Sequence, residues 1–196
     1  MSAAAADTVL PYPQPSELDL PRGDLWIFGY GSLMWDPGFP HVASLPALVY
    51  GYHREFCIYS SRWRGSPEQP GLVLGLDRGG ACRGVAYRIA APHVSRSLDV
   101  LWEREMRRGV YHPRLLHARL PARGARVLAF VANPKHPGYA GTLPTERTAE
   151  LIANCHGDRG PNVEYLARTL KHLADLGVRD HHLLRVMAAV RTLRKE

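Results

Sequence analysis

With 196 residues, 45% of them hydrophobic and 22% charged, the chain has the composition of a globular domain and not of a disordered or fibrous protein. A formal net charge of +7 raises the question of nucleic acid. The cations are scattered, however, with small clusters at Arg104, Arg107 and Arg108 and at Arg191, Arg194 and Lys195, and no nucleic-acid module accompanies them, so no nucleic-acid partner is expected.

In chain order, residues 1–23 open with alanines and carry Pro11, Pro13, Pro15 and Pro21 without an apolar face, which predicts a flexible, extended lead-in. Residues 24–196 are expected to form a single domain. Residues 25–28 read as a strand that runs into the turn Gly29-Tyr30-Gly31-Ser32-Leu33, and strand character resumes over 47–59. A loop rich in Ser, Arg, Pro and Gly follows at 60–71. Residues 72–77 and 84–89 resemble two β segments joined by Arg78-Gly79-Gly80, a hairpin. Pro92 suits the first turn of a helix over 93–107, where Val94, Leu98, Leu101, Trp102 and Met106 recur at helical spacing, and Gly109 ends it. Residues 115–120 and 126–131 form a further strand pair. The remainder is helical, over 145–154, 162–176 and 180–193, with Thr145 and Asn162 as N-caps. Strands gathered early and helices late predict an α+β fold.

No run is long and apolar enough for a membrane span, and the first residues lack the regions of a secretory signal. Cysteines at 57, 82 and 155 are odd in number and show no Cys-x-x-Cys spacing. A soluble protein of the reducing cytosol is expected, with no membrane partner, disulfide framework or zinc site. His181 and His182 are adjacent rather than four apart, so metal ligation is not expected either.

Three segments carry chemistry. The glycine-flanked turn can aim backbone N–H groups at an anion or oxyanion, its glycines either taking positive φ or admitting a close neighbour, while Ser32 adds a hydroxyl. It has neither the spaced glycines of a dinucleotide site nor a phosphate-loop ending, and a purely structural turn would look the same. In the second segment, Glu103 and Glu105 flank Arg104, and only Glu105 falls on the side of Leu101 and Trp102. Partial desolvation there would raise its pKa toward neutrality and suit it to acid–base work, whereas an exposed ion pair would do nothing. The third segment holds Gly157, Gly160, Asn162, Glu164, Tyr165 and Leu166 at a helix start. Capping accounts for Asn162 and Glu164 but not for Tyr165, which could face either the core or a ligand.

Taken in order, Gly-Tyr-Gly-Ser-Leu, Arg-Glu-Met and Gly-x-x-Gly-x-Asn-x-Glu-Tyr-Leu resemble the ChaC-type γ-glutamylcyclotransferases that act on glutathione. The strand from Gly51 to Phe56 with Arg54, the loop Ser60-Ser61-Arg62-Trp63-Arg64-Gly65 and the strand Gly84-Val85-Ala86-Tyr87-Arg88 resemble that family in the same order, so the likeness spans 25–180. The resemblance implies a γ-glutamylcyclotransferase-like (BtrG-like) α+β fold, a small mixed β-barrel packed by helices, with no metal and no organic cofactor. It also implies a lyase that acts on a small-molecule substrate, with its oligomeric state left open: the α-amine of the γ-glutamyl unit attacks its own γ-carbonyl, expels Cys-Gly and closes 5-oxoproline. In that scheme Glu105 is the general acid–base group and Glu103 a weaker candidate. Backbone N–H groups of Tyr30, Gly31, Ser32 and Leu33 hold a carboxylate or the developing oxyanion. Tyr165 touches substrate or orients Glu105, and Arg54, Arg62 and Arg64 are candidates for carboxylate binding. The link from Glu105 to Tyr111 is longer than in animal members and looks like the bacterial branch. Two alternatives remain open at this point: cyclotransfer on other γ-glutamyl amines or peptides, and a non-catalytic glutathione-binding regulator.

Overall fold

A computed structural model describes residues 8–195, so residues 1–7 of the expected lead-in lie outside the described residues. Strands β1 (Leu25–Gly29), β2 (Ala43–Ser60), β3 (Gly71–Ile89), β4 (Tyr111–Arg119) and β5 (Gly124–Ala132) close a barrel in the order β1-β3-β2-β4-β5, with β3 also meeting β5. The barrel is mixed. β1 runs antiparallel to β3, with Ile27 opposite Tyr87, and parallel to β5, where Ile27 faces Leu128. Helices α1 (Val94–Leu101), α2 (Thr145–Asn154), α3 (Asn162–Asp175) and α4 (His181–Arg194) complete the α+β arrangement expected from the sequence.

The chain folds as two compact units, each discontinuous in sequence. The first comprises Val9–Arg54 and Leu76–Asn133. Its interior explains why the first strand is apolar without alternation: Leu25, Ile27 and Phe28 are all fully buried, together with Val49, Ile89, Val127 and Leu128. Burial of such a side chain stabilises by about 1.5–3 kcal/mol relative to exposure. Trp102 sits edge-on to Phe130 at 5.6 Å between ring centroids, which seats the end of α1 on β5. Residues 9–23 hold only a short 3-10 turn, Pro15–Glu17, but they are engaged: Leu10 N–H donates to the Arg108 carbonyl at 2.9 Å, and Trp102 Nε1 donates to the Pro13 carbonyl at 2.9 Å.

The second unit joins Glu55–Gly75 to the chain from Pro134 onward. Leu166 and Leu173 of α3 and Leu183, Val186 and Val190 of α4 are fully buried, the amphipathic pattern read in the sequence. Asp180 caps α4 by accepting the Leu183 N–H at 3.1 Å. A two-residue pair, β6 (His156–Gly157) with β7 (Gly160–Pro161), precedes α3.

Local readings of the sequence are corrected at several points. Residues 71–89 are one strand, not a hairpin: Gly79 and Gly80 take φ of +98° and +68° inside β3, so they bend the strand instead of reversing it. The N-caps of α2 and α3 are Pro144 and Pro161, and Thr145 and Asn162 are first helical residues. Asn162 does other work: its fully buried amide accepts the Leu72 N–H at 2.7 Å and donates to the Leu72 carbonyl at 2.8 Å. The first helix also stops being α-helical at Leu101 and continues as a π turn, Trp102–Met106.

Candidate active site

The turn after β1 folds back as a 3-10 helix, Ser32–Met34. Neither Gly29 nor Gly31 takes a positive φ. At Gly29 it is proximity that crowds a side chain: an added Cβ would lie 3.1 Å from Leu33 Cβ and 3.3 Å from the Tyr87 ring, so these neighbours would have to give by a few tenths of an ångström. Met34 N–H closes on the Gly31 carbonyl at 2.9 Å, and Trp35 and Asp36 N–H close on the Ser32 carbonyl. The first N–H groups of such a turn, at Ser32 and Leu33, have no acceptor within it.

Several side chains of the same unit hold this turn. Tyr30 is buried, and its hydroxyl donates to the Phe130 carbonyl at 2.7 Å. Tyr87 donates its hydroxyl to the Met34 carbonyl at 2.8 Å, and burial pushes its phenol up to about 12, so it stays a donor at neutral pH. Arg54, also buried, sends Nε to the Tyr30 carbonyl at 2.6 Å and Nη2 to the Arg83 carbonyl. Those two donors are therefore directed at backbone carbonyls.

Glu105 lies in the π turn. Its side chain is only 16% exposed, whereas Glu103 is exposed, so the inward carboxylate is the one its spacing from Leu101 and Trp102 suggests. π turns inside helices recur at functional sites because the extra residue redirects side chains. Gly109 closes the segment, with φ of +72° and Leu10 so near that a Cβ would lie 2.4 Å from its carbonyl oxygen. Arg104, which was not singled out for the site from sequence, links the two motifs: Nε lies 3.1 Å from Glu105 Oε1 and Nη2 donates to Ser32 Oγ at 2.9 Å. Arg104 thus joins the turn, by a hydrogen bond, to the glutamate, by an ion pair.

The remaining candidates belong to the second unit. Tyr165 is buried, its hydroxyl accepts the Leu74 N–H at 3.4 Å and its ring meets Phe56 edge-on. Arg64 is also buried, lies 5.5 Å over the Tyr165 ring and donates to the Pro161 carbonyl at 3.0 Å. Burial pulls its guanidinium below the ordinary pKa, opposed by Tyr165 and Glu164. Arg62 is exposed, pairs with Asp158 at 3.0 Å and stacks on Trp63. Among the described residues no His, Cys, Asp and Glu cluster suited to a metal ion occurs.

Residues 25–193 match the family model described as ChaC-like protein. The chain belongs to the ChaC-like family. Among its relatives, it is 37% identical over 176 residues to the glutathione-specific γ-glutamylcyclotransferase of Escherichia coli (strain K12), covering 89% of this chain and 76% of that protein. It is 38% identical over 193 residues to glutathione-specific γ-glutamylcyclotransferase 1 of Homo sapiens, covering 92% and 86%. A crystal structure of a γ-glutamyl cyclotransferase specific to glutathione from yeast superposes with a TM-score of 0.81 at 23% identity, over 87% of this chain and 96% of that one. The fold is therefore that of the γ-glutamylcyclotransferases, as the motif resemblance implied.

Proposed function

We propose that this chain is a glutathione-specific γ-glutamylcyclotransferase in which Glu105 moves the protons. The observation that carries the catalytic part is the half-buried Glu105 carboxylate, linked through Arg104 to Ser32 of the glycine turn. The family membership and the relatives' names supply the substrate. The γ-glutamyl α-ammonium gives a proton to Glu105, and the freed amine attacks the γ-carbonyl carbon of the same molecule. The new C–N bond closes the five-membered lactam as the old amide C–N bond breaks; the leaving Cys-Gly nitrogen takes back the proton held by Glu105 and also receives the second proton that the attacking nitrogen sheds, so 5-oxoproline keeps one N–H and Cys-Gly departs as its ammonium. Since both reacting groups belong to one substrate, the protein's contribution is to fold that substrate into an attack conformation and to stabilise the oxyanion.

In this reading the N–H groups of Tyr30, Gly31, Ser32 and Leu33 face the substrate's carboxylate or oxyanion. Arg54 serves as a strut that shapes that turn, and Tyr165 and Arg62 are assigned to substrate binding on the strength of the motif resemblance alone. No helix among the described residues is long and apolar enough to cross a membrane. We assign the protein to the reducing cytosol, which is supported by Cys57, Cys82 and Cys155 being buried thiols without a disulfide.

The test is direct. Purified protein incubated with glutathione should release 5-oxoproline and Cys-Gly in equal amounts, and Glu105→Gln should lower kcat by about 10²–10⁴-fold, the range for a lost general acid–base group, with an unchanged fold. Full activity in that variant would remove Glu105 from the mechanism. A panel of other γ-glutamyl amines and peptides separates glutathione specificity from general cyclotransfer.

A further inference from the structure

We propose that Arg104 is a positioning residue of the cyclotransfer, holding the Glu105 carboxylate and the Tyr30-to-Leu33 turn at one fixed spacing; the inference rests on Glu105 being the acid–base group. The guanidinium is a planar fork whose edges reach separate pieces of chain. Nε lies 3.1 Å from Glu105 Oε1, Nη2 donates to Ser32 Oγ at 2.9 Å, and Nη1 donates to the Asp36 carbonyl at 2.6 Å while lying 3.6 Å from the Asp36 carboxylate. One rigid group thus touches the proton carrier, the hydroxyl of Ser32 and the chain just past the 3-10 turn that Ser32 begins.

This arrangement differs from a surface ion pair in several ways. Arg104 is 17% exposed and Glu105 16%, so water screens the ion pair between them less than it would a surface pair. Side chains at neighbouring positions of a regular helix do not face each other, yet these two meet, and they do so within the π turn. Ser32 Oγ accepts from Arg104, which leaves the hydroxyl's own hydrogen to donate, so the guanidinium also sets the direction of a donor in the turn. A lysine would keep the charge but, as a point donor on a flexible stem, could not span Glu105, Ser32 and Asp36 in one plane.

The experiment compares Arg104→Lys and Arg104→Ala with the parent protein and with Glu105→Gln, measuring kcat and KM on glutathione and thermal unfolding for each. Arg104→Lys is expected to fold and to lose about 10²-fold in kcat, the scale attached to an ångström of misplacement. KM is expected to stay within about threefold, because the lost interaction acts on the transition state and not on substrate affinity. Arg104→Ala is expected to lose kcat likewise and to regain part of it when guanidinium ion is added at non-denaturing concentration, while ammonium gives no recovery. A kcat for Arg104→Lys within about threefold of the parent overturns the proposal, as does an Arg104→Ala defect that guanidinium leaves unchanged. If Arg104→Ala does not fold, the Lys variant decides. Activity retained by Glu105→Gln would sink the acid–base reading instead, whereas an inactive Glu105→Gln beside an unimpaired Arg104→Lys sinks only the positioning role.

Discussion

Two arginine-bearing regions of this molecule put their guanidinium groups to different uses. In the unit that carries the glycine turn, Arg54 and Arg104 are buried or nearly so, and their guanidinium groups reach backbone carbonyls, a serine hydroxyl and a glutamate. In the other unit, the loop from Ser60 to Gly65 docks on the β6–β7 pair chiefly through backbone: Asp158 N–H donates to the Arg62 carbonyl at 2.8 Å and Arg159 N–H to the Trp63 carbonyl at 3.1 Å. Exposed Arg62 and Arg159 then stack on Trp63 at 4.5 and 4.7 Å. The first region uses cations to fix the geometry of polar groups, where an ångström matters to chemistry. In the second, exposed Arg62 and Arg159 cover an aromatic ring and Arg62 pairs at the surface, where small displacements cost little, and only buried Arg64 reaches a backbone carbonyl, that of Pro161.

The largest effect that separates these regions is expected at Arg54. Arg54→Met should leave the Tyr30 and Arg83 carbonyls without their donor and destabilise the fold by about 2–3 kcal/mol, the cost of losing buried bonds to a charged group. Because the Tyr30 carbonyl belongs to the turn, kcat/KM on glutathione should fall as well. Denaturant unfolding and steady-state kinetics on the same preparation check both. Unchanged stability with a raised KM alone would return Arg54 to the carboxylate-binding role that its residue type suggests.

What the sequence allowed to be read, and what it hid, follows from the range of the interactions. The buried first strand and the late helices were legible because burial periodicity is local: Leu25 to Phe28 is continuously apolar, and α4 begins after the Asp180 cap. The glycine pair at 79 and 80 was misread because positive φ marks a bend and a reversal equally, and only the pairing of β3 with its neighbours carries the strand through. Asn162 was read as a cap because its partner, Leu72, is 90 positions away. The link from Arg104 to Ser32 spans 72 positions and was invisible for the same reason. A signal did exist: an arginine between two carboxylates at the end of an apolar helix face has an obvious neighbour, and the half-buried one of the two is the one it contacts.

A smaller effect tests whether the second unit's polar contacts are structural. His182 Nε2 lies 3.1 Å from Glu55 Oε1, and Glu55 is 4% exposed. That hydrogen bond raises the His182 pKa, with burial opposing it, Asp180 adding to the rise and Arg185 subtracting from it. A group whose folded pKa exceeds its unfolded value, about 6.5 for histidine, stabilises fully below that unfolded value and loses the contribution as pH rises through the folded pKa. Urea unfolding should therefore show the protein losing stability between slightly acidic and alkaline pH by a margin that His182→Gln abolishes, with glutathione turnover unaffected. An equal pH slope in the variant would remove the pair from the account.

The smallest expected effect is the one that can undo the comparison. Arg62 pairs with Asp158 at 3.0 Å with both side chains more than half exposed, 52% and 60%, so the pair is worth about 0–1 kcal/mol and is screened further by salt. The docking of its loop is carried by the backbone and by the close approach at Gly157, where an added Cβ would lie 2.4 Å from the Arg62 carbonyl oxygen, and none of that depends on the guanidinium. If surface packing is its whole role, Arg62→Ala and Asp158→Ala should each leave the unfolding midpoint and the KM for glutathione close to the parent values. If Arg62 instead binds a substrate carboxylate, Arg62→Ala should raise KM by about tenfold or more, the loss of one charge-assisted contact, while Asp158→Ala, which frees the guanidinium, should not. Opposite responses from two partners of one ion pair cannot come from the pair itself, so the double comparison assigns Arg62 to substrate or to surface without reference to stability.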